Sequence, residues 1–272
     1  MIPVTATLAW LGAYETALKY GRECAPRGRK IRELEQHTLA IDLNYPLVAV
    51  PERRLNYRFL AAEAAWILAG RNDLGYLTAF NPKMAEFSDN GRSLAGAYGP
   101  RITSQVDYVV EKLVADRDTR QATLTIWTPN PQPSRDLPCT VAMDFKIRRD
   151  RLNAHVFMRS SDLWLGVPYD VFSFAMVASY IAARYREIMT APLGGGELDL
   201  GTLYLTAASM HVYEEHWDAL PATVYNDWHE AAPLPPWLER PESSEALIEN
   251  LEELALQKRG GPLRWWEGIR AG

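Results

Sequence analysis

Cysteine is scarce: the 272 residues contain two, Cys24 and Cys139, which leaves neither a CxxC motif nor a disulfide framework. The five histidines are scattered without metal-ligand spacing, so no metal centre is expected. Positive charge is also short, with 29 lysines and arginines against 34 acidic residues and a net charge of −5. That balance argues against broad attraction to nucleic acid or to an anionic membrane. The opening MIPVTATLAWLGAYETALKYGRE lacks a basic leader, and no window reaches the roughly 18 uninterrupted apolar residues that a span needs. The chain therefore reads as cytoplasmic, with neither nucleic acid nor membrane as a partner. Repeats and low-complexity segments are missing too, so organisation has to come from periodicity and punctuation.

Apolar residues are plentiful at 47%, enough for a sizeable core in one large domain or two small ones. RFLAAEAAWIL, from Arg58 to Leu68, is rich in helix formers and closes at Gly70, with Glu63 in its middle. TVAMDFKI alternates from Thr140, RRDR can turn, and LNAHVFM runs back. This predicts a two-stranded hairpin with Cys139 at one strand's start and Arg159 after the other's end. VFSFAMVASYIAARY, after Asp170, is apolar on nearly all faces and predicts a helix inside a thick core, which favours one domain. Gly194, Gly195 and Gly196 read as a loop, because a phosphate cradle needs a lysine and a strand-to-helix context. AAPLPPWLERPESS reads as a linker or an extended strap. Beyond it Ser244 is placed to cap a helix carrying Leu247, Ile248, Leu251, Leu254 and Ala255 on one face, with Lys258 and Arg259 before Gly260.

Two residues stand out chemically. Asp170 is a carboxylate at the head of a buried run, costly unless a partner or a proton offsets its desolvation. Cys139, in LPCT, is either a buried small hydrophobe or a nucleophile activated by a nearby arginine, and these residues alone leave both open.

The surroundings narrow the choice. DTRQATLTIWTPNPQPSRDLPCTVAMDF followed by FMRSSDLWLGVPYDVFSFA resembles the thymidylate synthase family in order, spacing and residue type. PRG at 26–28 looks like its phosphate-binding arginine loop, AAEAAWILAGRNDLGYL like its glutamate-bearing helix, and AGAYGPR like its tyrosine loop. MHVYEEH at 210–216 looks like its sugar-holding histidine and tyrosine. The resemblance implies an α/β (α+β) fold, a large mixed β-sheet flanked by helices, in a homodimer packed through the sheets. The resemblance runs over roughly residues 27–217 and leaves the C-terminal part unmatched; with the helix read from its own pattern, the expected division is a catalytic domain over 1–240 with a C-terminal helix and tail, 241–272, appended to it.

By the same resemblance the cofactor would be 5,10-methylenetetrahydrofolate and the substrate a pyrimidine nucleotide. Cys139 would add to C6 of the base, Glu63 would organise proton-moving waters, and Tyr98 would assist loss of the C5 proton. Arg27, Arg159 and Ser160 would bind the 5′-phosphate, and Arg120 would reach the phosphate site of the partner in the dimer. His211 and Tyr213 would hold the sugar, Asp162 would lie by the nucleotide and contact the folate pterin, and Gly166 would form the turn beneath the base. Each residue has an ordinary rival role as a solvated or half-buried side chain; in this joint order they resemble the family's site.

Departures from the family pattern carry their own implications. The family's usual residue at the Asp170 position is asparagine, and an aspartate there is the mark of cytidylate enzymes, so the resemblance narrows to CMP or dCMP 5-hydroxymethylases. Met84 falls where methylating members carry a shielding tryptophan, with Phe87 at the next aromatic position, so water is expected to reach the new carbon. Gln121 replaces a second phosphate arginine, a basic residue is replaced within VPER, and Thr140 replaces a histidine. A thymidylate synthase or cytidylate methylase remains an alternative, as does a non-catalytic nucleotide- or RNA-binding relative.

Overall fold

The computed structural model describes residues 2–193, 197–221, 224 and 233–257. Among them, seven strands form one mixed sheet: β1 (Arg22–Cys24), β2 (Ile31–Asp42), β3 (Thr123–Thr125), β4 (Thr140–Arg148), β5 (Arg151–Met158), β6 (Ser161–Asp162) and β7 (Asp199–Tyr213). Their spatial order is β1-β2-β7-β5-β4-β3, with β6 beside β7. Neighbours run antiparallel except at β5–β7 and β6–β7. The helices are α1 (Ala6–Tyr20), α2 (Tyr57–Leu68), α3 (Leu74–Thr78), α4 (Tyr98–Thr103), α5 (Val106–Ala115), α6 (Val167–Leu193), α7 (Pro236–Glu239) and α8 (Ser244–Leu256).

The expected hairpin is β4 and β5, joined at Arg149 and Asp150 with φ of 54° and 58°. Two left-handed residues in a row give the turn whose twist suits the flanking strands. Met143, Phe145 and Ile147 alternate inward on β4, as Leu152, Ala154 and Val156 do on β5. They belong to the same core as α6, whose residues 171–179 are all buried because the sheet covers one side and α2, α5 and α8 cover others.

The first turn of α6 is where the sequence expectation needs its main adjustment. The helix begins at Val167, before Asp170, because Gly166 O accepts the amides of Tyr169 and Asp170, each at 2.9 Å. Pro168 is tolerated there since early helical amides have no intrahelical acceptor. Asp170 therefore lies inside the first turn.

The cap of α8 is also displaced by one residue. Ser243, not Ser244, accepts the Ala246 amide at 3.0 Å, while Ser244 is buried and its own amide donates to Glu187 at 2.6 Å. Leu247, Leu251, Leu254 and Ala255 are buried against the rest of the core. The described part of the proline-rich segment is a strap with one helical turn, α7, whose Leu238 carbonyl accepts the Ser179 hydroxyl and whose Trp237 carbonyl accepts Asn250 Nδ2 at 3.0 Å. The Gly194–Gly196 loop, Lys258, Arg259 and Gly260 lie outside the described residues. Ser243→Ala should lower stability in urea unfolding by about 1 kcal/mol through loss of the cap. An equal loss from Ser244→Ala by a capping route would contradict that assignment.

Candidate active site

Register brings the chemistry together. The short parallel strand β6 places Ser161 opposite Met210 and Asp162 opposite His211 on β7. β2, antiparallel to β7 on its other side, pairs Ile31 with Tyr213 and so carries the 26–28 turn to the same end of the sheet. Arg27 sits in that turn in a left-handed conformation (φ 54°), exposed, with its charge felt by the Cys139 thiol.

Cys139 immediately precedes β4 and is half-buried. Arg159 holds it in place: its amide donates to Cys139 O at 2.8 Å, while Nε and Nη2 each donate at 3.0 Å, to Pro138 O and Leu137 O. Burial pushes the thiol up, Arg159 and then Arg27 oppose that, and Asp170 and Asp136 add to it. The net direction is upward, so the free protein stores a thiol rather than a thiolate.

Three more acids meet behind it. Glu63, in the middle of α2, is raised to about 8 by burial and then by the charge of Asp170. Asp170 is raised to about 7 by burial and then by Asp162, although its place in a helical first turn favours the anion. Both keep some accessible surface, as cleft-lining groups do, while protein encloses their carboxyls. Tyr98 is pushed well above its usual range by burial, then by Asp170 and Cys139, so its hydroxyl keeps its proton. That oxygen accepts the Thr140 amide at 3.4 Å, and its ring stacks on Phe174 with centroids 6.4 Å apart.

A match to a family model described as thymidylate synthase covers residues 9–252. The chain belongs to the thymidylate synthase family. Similar curated proteins are a deoxyuridylate hydroxymethyltransferase of Bacillus phage SP01, 31% identical over 236 residues covering 78% of this chain and 58% of that protein. Another bearing the same name, from Pseudomonas phage M6, is 31% identical over 174 residues, 60% of this chain and 46% of its own length. The chain thus spans about half the length of these relatives. The mixed sheet with its helices is a thymidylate synthase-like α/β fold.

Other family positions fall around the same end of the sheet. His211 is buried and Tyr213 half-buried, their rings edge to face at 5.2 Å, and His211 Nδ1 has no hydrogen-bond partner among the described residues. Arg29 stacks over Tyr213 at 3.8 Å. Ser160, half-buried, bridges β5 and β6. Asp162 Oδ1 accepts the amides of Trp164 and Leu165 at 2.8 and 3.0 Å, closing the turn that leads to Gly166. A Cβ at Gly166 would stand 3.2 Å from both Asp162 O and Asp170 Oδ2, so this position keeps the turn and the carboxyl close.

Three expected positions are not joined to the cluster in this chain. Arg120 is exposed ahead of β3 and makes neither a hydrogen bond nor an ion pair among the described residues. Met84 is half-buried against the core in the 3-10 turn Pro82–Phe87, and Phe87 is 46% exposed. Neither is tied to Glu63, Asp170 or Cys139 by a hydrogen bond or ring contact among the described residues.

The structure adds one residue that the sequence reading passed over. VPER does carry a basic group that matters: Arg53 is buried, donates to Trp164 O through Nε at 2.9 Å and Nη2 at 2.6 Å, and lies 4.7 Å over the Trp164 ring. Asp162 is among the groups that hold it charged against burial. A lone arginine beside PLV gave no sequence signal, because its partner is a backbone carbonyl over a hundred positions away.

The raised carboxyl of Glu63 has a thermodynamic consequence. A proton bound more tightly in the folded chain favours folding at low pH, and this advantage is lost as pH rises from about 4.5 to about 8. Glu63→Gln should therefore gain stability relative to the native chain across that window in urea unfolding. A difference that does not change with pH would contradict the buried, proton-holding carboxyl.

Proposed function

We propose that this chain 5-hydroxymethylates a cytidine 5′-monophosphate, CMP or dCMP, and works as a homodimer in which Arg120 serves the partner's phosphate site. The observation that carries the base preference is Asp170, a carboxyl beside the nucleophile, enclosed by protein and raised to about 7. Uracil offers a donor at N3–H and an acceptor at O4, which an amide matches. Cytosine offers an acceptor at N3 and a donor at its 4-amino group. A neutral carboxylic acid can pair with either ring, but only cytosine can take the proton onto N3, turning the contact into a charge-assisted pair of hydrogen bonds to a carboxylate. Protonation at N3 also draws electrons from C6, where Cys139 attacks.

The residues have separate tasks. Arg159, Arg27 and Ser160 bind the phosphate, with Arg159 at the same time fixing the backbone on both sides of the thiol. His211 and Tyr213 hold the sugar. Glu63, protonated at neutral pH, hands protons through water to the base and back. Tyr98 acts as a neutral hydroxyl near C5, since its proton is held too firmly for a phenolate.

The folate fits this site on one observation: Asp162 commits Oδ1 to two backbone amides, and no hydrogen bond engages Oδ2 among the described residues, which leaves an acceptor for the donor edge of a pterin. When bound, 5,10-methylenetetrahydrofolate supplies a one-carbon unit at the formaldehyde level. Whether the new carbon ends as hydroxymethyl or methyl turns on water, and Met84 in place of a broad aromatic shield favours hydration. The names of the two phage relatives support hydroxymethylation as the outcome. Those names also favour a second reading, dUMP as substrate, which a protonated Asp170 could accommodate.

Incubation with CMP, dCMP, UMP and dUMP plus the folate, followed by mass measurement, identifies base, sugar and added group together. Cys139→Ala should abolish turnover while leaving nucleotide binding measurable by calorimetry, and full turnover in that variant would end the covalent mechanism. Asp170→Asn should move preference from cytosine toward uracil nucleotides. An unchanged ratio of kcat/KM for the two bases would remove Asp170 as the selector.

A further inference from the structure

Asp136 lies three residues before Cys139 and has no part in the chemistry above. Its Oδ2 accepts the Gly96 amide at 2.6 Å. The approach is close enough that a Cβ on Gly96 would stand 2.5 Å from Asp136 O and 3.0 Å from its Oδ1. Gly96 precedes Tyr98 by two residues, and the Tyr98 hydroxyl accepts the amide of Thr140, just beyond Cys139, at 3.4 Å. The start of α4 is thus joined to the nucleophile segment at two points, one on each side of the thiol.

A second carboxylate reinforces the first point. Asp89 accepts from Ser134 Oγ at 2.6 Å and from the Arg135 amide at 3.1 Å, and Ser134 Oγ accepts the Asp136 amide at 2.9 Å. Burial pushes the Asp136 carboxyl up; the Gly96 amide and Arg101, fixed on the carbonyls of Ala97 and Ala95 at 2.7 and 2.8 Å, oppose that, and the charge of Asp89 adds to it.

We infer, resting on the assignment of Cys139 as nucleophile, that Asp136 is a positioning residue whose carboxylate clamps the Gly96 backbone and so holds the Tyr98 hydroxyl and the Cys139 thiol in one fixed relation. The groups that face the thiol are Arg159 and Arg27, which favour the thiolate, and Asp170 and Asp136, which oppose it. Asp136 therefore hinders ionisation of the nucleophile it stands beside. Its short bond to Gly96 accounts for its presence by geometry rather than by activation.

Three variants separate clamp from charge. Asp136→Asn retains an acceptor for Gly96 and removes the charge; Asp136→Ala removes both; Gly96→Ala keeps the charge and forces the two backbones apart. Alkylation of Cys139 by iodoacetamide, followed against pH on its tryptic peptide, should shift its midpoint downward in both Asp136 variants and leave it near the native position in Gly96→Ala. Release of the C5 label from 5-deuterated CMP, dCMP or dUMP without folate should stay near the native rate in Asp136→Asn. It should fall about tenfold or more in Asp136→Ala and in Gly96→Ala, as expected for a misplaced reacting group. Thermal unfolding confirms that each variant folds, and Asp136→Asn with Gly96→Ala decides the matter if Asp136→Ala does not. Native-rate exchange in Gly96→Ala, or an equal loss in Asp136→Asn, overturns the clamp. Absence of exchange in the native chain with all three nucleotides overturns the nucleophile assignment itself, and the clamp's role with it.

Discussion

Glu63 and Asp170 are enclosed together, one on α2 and one at the head of α6, and the field of Asp170 adds to the burial that raises Glu63. Two carboxyls in such a place would move apart or reach solvent if their helices allowed it. They do not. α2 and α6 pack against each other and against α8, and α6 also packs on the sheet. Asn56 caps α2 through the Phe59 amide at 3.1 Å, and Arg58 ties it to the Ala255 carbonyl of α8 at 2.8 Å. α6 is held by the Ser179 bond to the strap and by Arg184 on Asp107 at 2.9 Å. The apolar core is the source of the free energy that keeps two acids where neither prefers to be ionised.

That enforced protonation reaches the nucleophile. An ionised Asp170 would oppose the Cys139 thiolate directly, whereas a proton on Asp170 relieves the thiol of that charge. Glu63, Asp170, Tyr98 and Cys139 form a group of acids that all hold protons more firmly than they would in water. Under the proposed reading, a base that can accept a proton from Asp170 discharges part of this stored acidity on binding. The carboxylate so formed is paired with a base that carries the proton, so the transfer sets no uncompensated negative charge against the arginines' influence on the thiol.

Much of this was legible in the sequence where the signal was local. The alternation of TVAMDFKI and LNAHVFM and the breaker residues between them gave the hairpin, and the all-round apolar run after Asp170 gave the central helix. What was not legible depends on contacts between distant segments. Ser243 rather than Ser244 caps α8, its backbone extended and its hydroxyl on the Ala246 amide, while the Ser244 amide goes to Glu187 on another helix. Arg53 is chosen by the Trp164 carbonyl, and Asp136 by a glycine forty positions earlier; neither relation has a periodic or spacing signature. Arg159 looked like a phosphate ligand from its family position, and the sequence had no means of showing that two of its donors are also engaged on Leu137 and Pro138.

The 161–166 segment shows why those distant contacts matter. Apart from the two-residue strand β6 and the turn closed by Asp162, it has little secondary structure of its own to fix it. Trp10 of α1 donates to the Leu163 carbonyl, Arg53 grips the Trp164 carbonyl, and the Trp164 ring packs among Trp10, Tyr14 and His216 at centroid distances of 5.9, 5.8 and 5.3 Å. An extended loop held only by its own turn would sample many arrangements of Asp162 and Gly166, and with them the carboxyl that follows. Pinning it by an aromatic cluster and a buried guanidinium converts a flexible connection into a rigid wall, and the N-terminal helix, none of whose residues is a proposed ligand contact, becomes part of what sets the pocket's shape.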